Sequence, residues 1–278
     1  MNSNEFIPTR HEELWAEIAE VPQAKATIVF VDGSGEYRTV SMRKTALIRQ
    51  WFNSEGFSFL TYDKYGCGES GGKWAQVTLD ILVDCLIDVC KFAKSRFLKP
   101  LAVVGQSEGA MIGAEAASKS KEIDALVLMC CSSQEIAERM HYQLISEGTP
   151  NSYSAWEEWQ HGIEEIKRTV EAGNTITGFL LDHPKTYWAS RIGRRLPADL
   201  IGNLEIPIFA LNGERDEPTP PKAYLEIHKV MENARNRYSK AKAYPDVGHS
   251  LRKHGETWGS SEADRDIIKW LNSVFQER

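Results

Sequence analysis

A chain of 278 residues is long enough to build its own core, and α/β domains of about this size often fold as one unit. Its 42% apolar and 26% charged residues are ordinary for a globular protein and exclude wholesale disorder. Thirty-three basic against thirty-nine acidic side chains leave a formal charge of −6, without the basic excess that a nucleic acid or an anionic membrane attracts.

Near the start, Leu14, Ala16 and Ile18 alternate as in a strand, while Leu14, Trp15 and Ile18 also suit a helix; an edge strand is the expectation. Residues 27–31 form a short β-branched run closed by Asp32-Gly33-Ser34-Gly35, which predicts a buried strand and a turn. Leu47, Ile48, Trp51 and Phe52 have helical spacing within 45–54, and 57–62 is the next strand. Apolar residues repeat at three and four from Leu79 to Phe97, predicting an amphipathic helix of about five turns. Strand 101–104, a small-residue helix at 110–119 and strand 125–129 follow. Between 133 and 203 the rhythm changes: 133–147, 155–172 and 177–191 look helical, with no strand between them. Alternation resumes with strand 206–211, a helix at 221–231, a strand at 240–244 and a helix at 261–275. The expected architecture is α/β: a doubly wound, mostly parallel sheet formed by 1–132 and 204–278, with 133–203 as a helical cap insertion.

The apolar runs 26–31 and 125–131 fall far short of the ~18 residues of a membrane span. Cys67, Cys85, Cys90, Cys130 and Cys131 are odd in number and contain no C-x-x-C pair, so neither a disulfide framework nor a zinc cluster is expected. Met1-Asn2-Ser3-Asn4-Glu5 shows no basic segment leading into an apolar stretch, and the expected location is cytoplasmic.

The strongest chemical signal is Gly105-Gln106-Ser107-Glu108-Gly109. Alone, G-x-S-x-G is a weak motif; here it joins an apolar strand to a small-residue helix. A serine on so sharp a turn takes a strained backbone that lifts its hydroxyl clear of the sheet. The helix N-terminus behind it offers N–H groups to developing negative charge. A hydroxyl nucleophile needs a base, and the base needs an orienter. His249, in Pro245-Asp246-Val247-Gly248-His249-Ser250, is the candidate base, with His254 as competitor. His11, His141, His161, His183 and His228 are expected to be solvated or packed. Asp216, after the strand 206–211, is the candidate acid, with Glu214 the runner-up. The chain order Ser, Asp, His is the one a nucleophile-elbow architecture requires.

These pieces resemble the α/β-hydrolase superfamily, and within it the single-domain bacterial serine esterases related to acylaminoacyl-peptidase catalytic domains. Asp32-Gly33-Ser34-Gly35 stands where that family has its His-Gly oxyanion loop. Tyr62-Asp63-Lys64-Tyr65-Gly66-Cys67-Gly68-Glu69-Ser70-Gly71-Gly72 resembles its D-x-x-G-x-G-x-S segment. The elbow at 105–109, Asp216 and Gly248-His249 complete the match, which covers about 25–132 and 204–275. The resemblance implies that Ser107 attacks a carbonyl carbon, His249 shuttles the proton and Asp216 orients the imidazole. It implies an oxyanion site formed by the backbone N–H groups of Glu108 and Ser34.

Two departures stand out. Asp32 replaces the usual histidine, and a carboxylate aimed at an oxyanion would oppose catalysis, so Asp32 is expected to turn away and bond loop amides. Glu108 reads first as an acid favoured by the helix dipole, and second as a carboxylate that meets a cationic group or shifts the base's pKa. The glycine-rich 66–72 lacks the Gly-Lys-Ser/Thr ending of a phosphate loop. Asp80, Asp84, Asp88, Glu115 and Glu122 read as solvated helix faces and not a metal site; Trp156, Trp159 and Trp188 read first as packing and second as pocket walls; Arg191, Arg194 and Arg195 read first as an exposed basic turn and second as a site for a substrate carboxylate or phosphate.

The resulting expectation is a serine hydrolase cleaving small to medium carboxylic esters through an acyl-enzyme, with no metal and no organic cofactor. The same machinery would serve a peptidase or amidase, a thioesterase or an acyltransferase. A hydrolase-fold ligand-binding protein is the alternative from outside enzymology. The expected partner is a small ester or acyl substrate, with no nucleic acid and no membrane, and a homo-oligomer is left open.

Overall fold

Short apolar runs without polar interruption have to be covered on both faces, and that requirement organises the sheet. The computed structural model describes residues 2–145 and 148–275. The first half consists of β1 (Asn2–Pro8), β2 (Glu13–Ala19), β3 (Thr27–Val31), α1 (Arg43–Ser54), β4 (Ser58–Tyr62), α2 (Leu79–Phe97), β5 (Leu101–Gln106), α3 (Glu108–Lys119) and β6 (Ala125–Met129). After an inserted block come β9 (Ile208–Gly213), α8 (Pro221–Glu232), β10 (Lys240–Tyr244) and α9 (Glu262–Phe275).

The main sheet has the order β1-β2-β4-β3-β5-β6-β9-β10. From β4 to β10 every neighbouring pair is parallel, while β1 and β2 are antiparallel additions at one side. Alternate residues of each strand feed opposite layers, as a period of two dictates. Val29, Val31 and Val103 pack with α2, α3 and α8 on one face; Ile28, Phe30 and Val104 pack with α1 and α9 on the other. The α/β, doubly wound, mostly parallel arrangement read from the sequence is what the chain adopts.

One expectation at the start needs correction. The segment around Leu14 is a strand, but it lies inside the sheet, because β1 pairs outside it along its whole length. The sequence of β1, Asn-Ser-Asn-Glu-Phe-Ile-Pro, buries only Ile7, so it shows no apolar alternation to find.

The block between β6 and β9 contains α4 (Ile136–Ile145), α5 (Pro150–Glu171), β7 (Phe179–Leu180), β8 (His183–Pro184), α6 (Lys185–Ala189) and α7 (Pro197–Ile201). The helix expected over 133–147 is α4; Ser146 and Glu147 lie outside the described residues. Helix α5 starts earlier than its apolar spacing suggests, because Thr149 and Ser152 form a reciprocal cap with Pro150 in the first turn. The single helix expected over 177–191 is instead a two-residue hairpin followed by a short helix. Leu181 turns the chain at φ +49°, and Pro184 cannot supply a helical N–H. Among the described residues no helix is long and apolar enough to cross a membrane.

Candidate active site

In an open parallel sheet the loops at the carboxyl ends of the strands share one rim, where ligands bind. Ser107 directly follows β5 and precedes α3, with φ +56° and ψ −117°. A non-glycine residue in that region is strained, and the surroundings hold it there. A Cβ on Gly105 would come within 2.3 Å of the Gly109 carbonyl, and one on Gly109 within 2.1 Å of the Val31 carbonyl. Only glycines allow strand and helix to approach so closely. The Ser107 amide donates to the Met129 carbonyl at 2.8 Å, fixing the elbow beside the end of β6.

The loops after β9 and β10 are laced together by the Glu214 amide on the Tyr244 carbonyl and the Arg215 amide on the Val247 carbonyl, 3.0 and 3.1 Å. That lacing delivers Asp216 to His249. Both carboxylate oxygens of Asp216 lie 2.9 Å from His249 Nδ1, and one also accepts the Thr219 amide at 2.8 Å. Asp216 is buried and His249 half-buried. The competitors Glu214 and His254 are both exposed. Cys130 sits between the two halves of the site: it follows Met129, and its thiol donates to the His249 carbonyl at 3.2 Å. Burial, then the neighbouring Asp216, pushes that thiol far above its ordinary pKa. Among the described residues no hydrogen bond joins the Ser107 hydroxyl to the imidazole: the structure brings Asp216 and His249 together, and Ser107 shares with them the rim at the carboxyl ends of the strands.

Ser107, Ser34 and Glu108 line one cleft of about 210 Å³, partly open to solvent. A Cβ on Gly33 would stand 3.5 Å from Ser107 Cβ, which shows how closely the β3 loop approaches the elbow. The Ser34 and Glu108 amides make no backbone hydrogen bond among the described residues. Asp32 is buried; its Oδ1 accepts the Gly33 amide at 2.7 Å and the Lys44 ammonium at 2.6 Å. It is thus occupied with the loop amide expected of it, and with a lysine that the sequence did not point to.

Glu108 is the first-turn acid of α3 that its first reading expects, and it also meets cations of the chain itself. Its side chain is only 5% exposed. It accepts from Lys64 Nζ at 3.0 Å, from the Tyr187 hydroxyl at 2.6 Å and from Arg191. Burial alone would raise its pKa, but Lys64, Arg191 and the Tyr187 hydroxyl outweigh that and hold it far below the usual carboxylate range. Lys64 also donates to the Gly33 carbonyl at 2.7 Å, so one buried ammonium ties the β3 loop to the residue after Ser107.

The expected basic turn is different: Arg191 is buried on Glu108, and Arg194 reaches Asp80 and the buried Glu115. Asp84 and Asp88 pair with Arg10, so these acids are engaged rather than merely solvated. Trp159 and Trp188 are buried and pack edge to face, with Trp156 stacked on Trp159. The sequence reading passed over Lys64, Tyr187 and Arg139, which also lines the cleft. The available signal was Glu108 itself, an acid inside a small-residue helix that had to be buried against the sheet and so required cations.

Two family models match the chain, each over at least half of it. The one described as serine aminopeptidase, S33, covers residues 22–161, and the one described as BAAT / acyl-CoA thioester hydrolase C terminal covers 97–253. No curated protein matches the sequence. Among solved structures, an esterase of Pyrococcus furiosus is similar at a TM-score of 0.68 and 17% identity, over 99% of this chain and 92% of that one. A proline iminopeptidase of Mycobacterium smegmatis matches at 0.66 and 17%, over 99% of each chain. A monoacylglycerol lipase of Paleococcus ferrophilus matches at 0.64 and 19%, over 94% of this chain and 99% of that one.

Proposed function

The chain belongs to the α/β-hydrolase superfamily, as a serine hydrolase related to the S33 aminopeptidases and the acyl-CoA thioester hydrolases, and on that premise we propose that it cleaves small to medium carboxylic esters through an acyl-enzyme on Ser107. The observation that carries this reading is Ser107 itself, held at φ +56° on a strand-to-helix turn and facing a cleft shared with two candidate oxyanion donors. In the proposed first step the Ser107 oxygen bonds to the acyl carbon as its proton passes to His249 Nε2. Asp216, on Nδ1, fixes the tautomer and stabilises the imidazolium. The Ser34 and Glu108 amides take the oxyanion; losing one such donor typically costs ~2.7–4 kcal/mol of barrier. Collapse expels the alcohol with the proton from His249, and water repeats the sequence to free the acid and Ser107. Hydrogen bonds of this kind often tighten only when substrate is bound, which accommodates the unjoined Ser107 and His249.

The block between β6 and β9 serves in this reading as a cap, since Tyr187, Trp188 and Arg191 supply one wall of the cleft. A cleft of about 210 Å³ lies below the ~300–1,000 Å³ of drug-sized sites and suits a small acyl group. A second reading, thioester cleavage, is favoured by the match over residues 97–253. Rapid labelling by a fluorophosphonate, abolished by Ser107→Ala, is the expected result, together with faster turnover of an acyl ester than of its matched thioester. Labelling that survives Ser107→Ala removes the assigned nucleophile, and a thioester preference transfers the function to the second reading.

A further inference from the structure

The cleft contains a cation for which ester cleavage has no use. Arg139, on α4, is partly buried and lines both the Ser107 cleft and a small adjoining cavity of about 30 Å³. Its side chain meets the thioether of Met111, Nη1 to Sδ 3.0 Å. A thioether is a weak acceptor for a guanidinium that carries five N–H donors. Among the described residues no carboxylate lies within ion-pair distance of it. Arginine does not escape by deprotonation, so the positive charge persists.

The neighbouring charges do not cancel it. Lys64 and Arg191 already place two cations on the one carboxylate of Glu108. Asp182, the other acid of the cleft lining, is exposed. The adjoining cavity instead presents Glu115 and Glu135 along with its arginines, which oppose an anion there. The favourable side is the one that faces Ser107. Independently, Arg191 Nε and Ser132 Oγ, both on residues of the cleft lining, are buried without a hydrogen-bond partner among the described residues.

We propose that the cleft receives an acyl group ending in a carboxylate, which Arg139 grips while the ester carbonyl at the other end meets Ser107. The substrate class is the half-ester of a dicarboxylic acid. A guanidinium fork matches the two oxygens of a carboxylate, and a singly charged end balances the one cation left without a partner. For its chemistry the proposal rests on the serine-esterase reading; for binding it does not.

Ethyl hydrogen adipate and ethyl hexanoate have equal acyl length and differ at the far end. The wild type is expected to favour the adipate in kcat/KM, and Arg139→Gln to cut that preference at least tenfold, mainly through KM. Arg139→Lys, which keeps the charge but not the fork, falls between and covers the case in which the glutamine variant does not fold. Calorimetry of adipate with the Ser107→Ala protein gives a readout without turnover: binding is expected, and Arg139→Gln in that background abolishes it. Adipate bound through Arg139 with neither ester cleaved upholds this proposal and sinks the esterase reading. Hexanoate preferred, or a preference unmoved by Arg139→Gln, overturns the proposal and leaves the esterase reading standing.

Discussion

At the cleft, the block between β6 and β9 is held by a different kind of force from the one that holds the sheet to its helices. Strands β3, β4, β6 and β9 are buried throughout and meet their helices through aliphatic and aromatic side chains. The block joins the apolar cluster of one layer through residues such as Ile163 and Ile201, yet where it meets α3 at the cleft the contact is polar: Arg191 and Tyr187 close on Glu108. Beside it, Arg194 closes on Asp80 and Glu115, and the Leu79 amide donates to Ser190 Oγ at 2.8 Å. Apolar burial is non-directional and tolerates sliding. A buried ion cluster does not, because each charge must keep its partner. The cleft wall is therefore placed by the contact that least tolerates displacement, next to the residue proposed to attack substrate.

The most forceful way to break this contrast is Glu108→Gln. It keeps the shape but leaves Lys64 and Arg191 buried with no carboxylate between them. Removing one partner of a buried pair typically costs about 3–5 kcal/mol, and that loss is expected in denaturant unfolding. Turnover should fall as well, because Lys64 holds the Gly33 carbonyl as well as Glu108. A loss below about 1 kcal/mol would show that apolar packing positions the block and that the ion cluster is incidental.

Acid titration sharpens the same point with a smaller effect. The Glu108 carboxyl is depressed in the folded protein. Its contribution is therefore complete above the unfolded value of ~4.3 and is lost as pH falls toward the folded one. Asp80, Asp88 and Glu115 are depressed too, through their arginine and lysine partners, so the wild type loses stability from several sites in that window. Subtracting the Glu108→Gln curve isolates one of them. The wild-type curve should fall more steeply below about pH 4–5 than that of the variant. Parallel curves would mean that Glu108 is not ionised at that joint.

The same contrast explains what could be read in advance. Buried parallel strands leave unbroken apolar runs, and residues such as Val29 and Phe30 declare themselves by composition alone. Ser107, Asp216 and His249 each follow a strand end, so locating the strands located them. Strand β1 escaped because an edge strand that buries only Ile7 has no pattern. The hairpin at Phe179–Pro184 escaped because its apolar residues happened to keep helical spacing, although Pro184 argued otherwise. Arg191 and Arg139 were illegible for a different reason: a charge looks solvated in a sequence until the fold reveals what covers it. Glu108 was the exception that offered a clue, since an acid in a helix pressed against the sheet has to be neutralised.

The smallest effect is expected at the solvent side of the block, where Lys185 of α6 reaches both oxygens of Glu165 on α5 at 2.7 and 2.8 Å. This pair has the same chemistry as Lys64 with Glu108 and comparable distances, but the Glu165 side chain is 57% exposed. Water already solvates that carboxylate, so releasing it removes little, and ordering two long side chains offsets part of the gain. Lys185→Ala should cost at most about 1 kcal/mol, and the cost should shrink as salt is added. If it equals the loss from Glu108→Gln and resists salt, then burial is not what separates the two ion pairs.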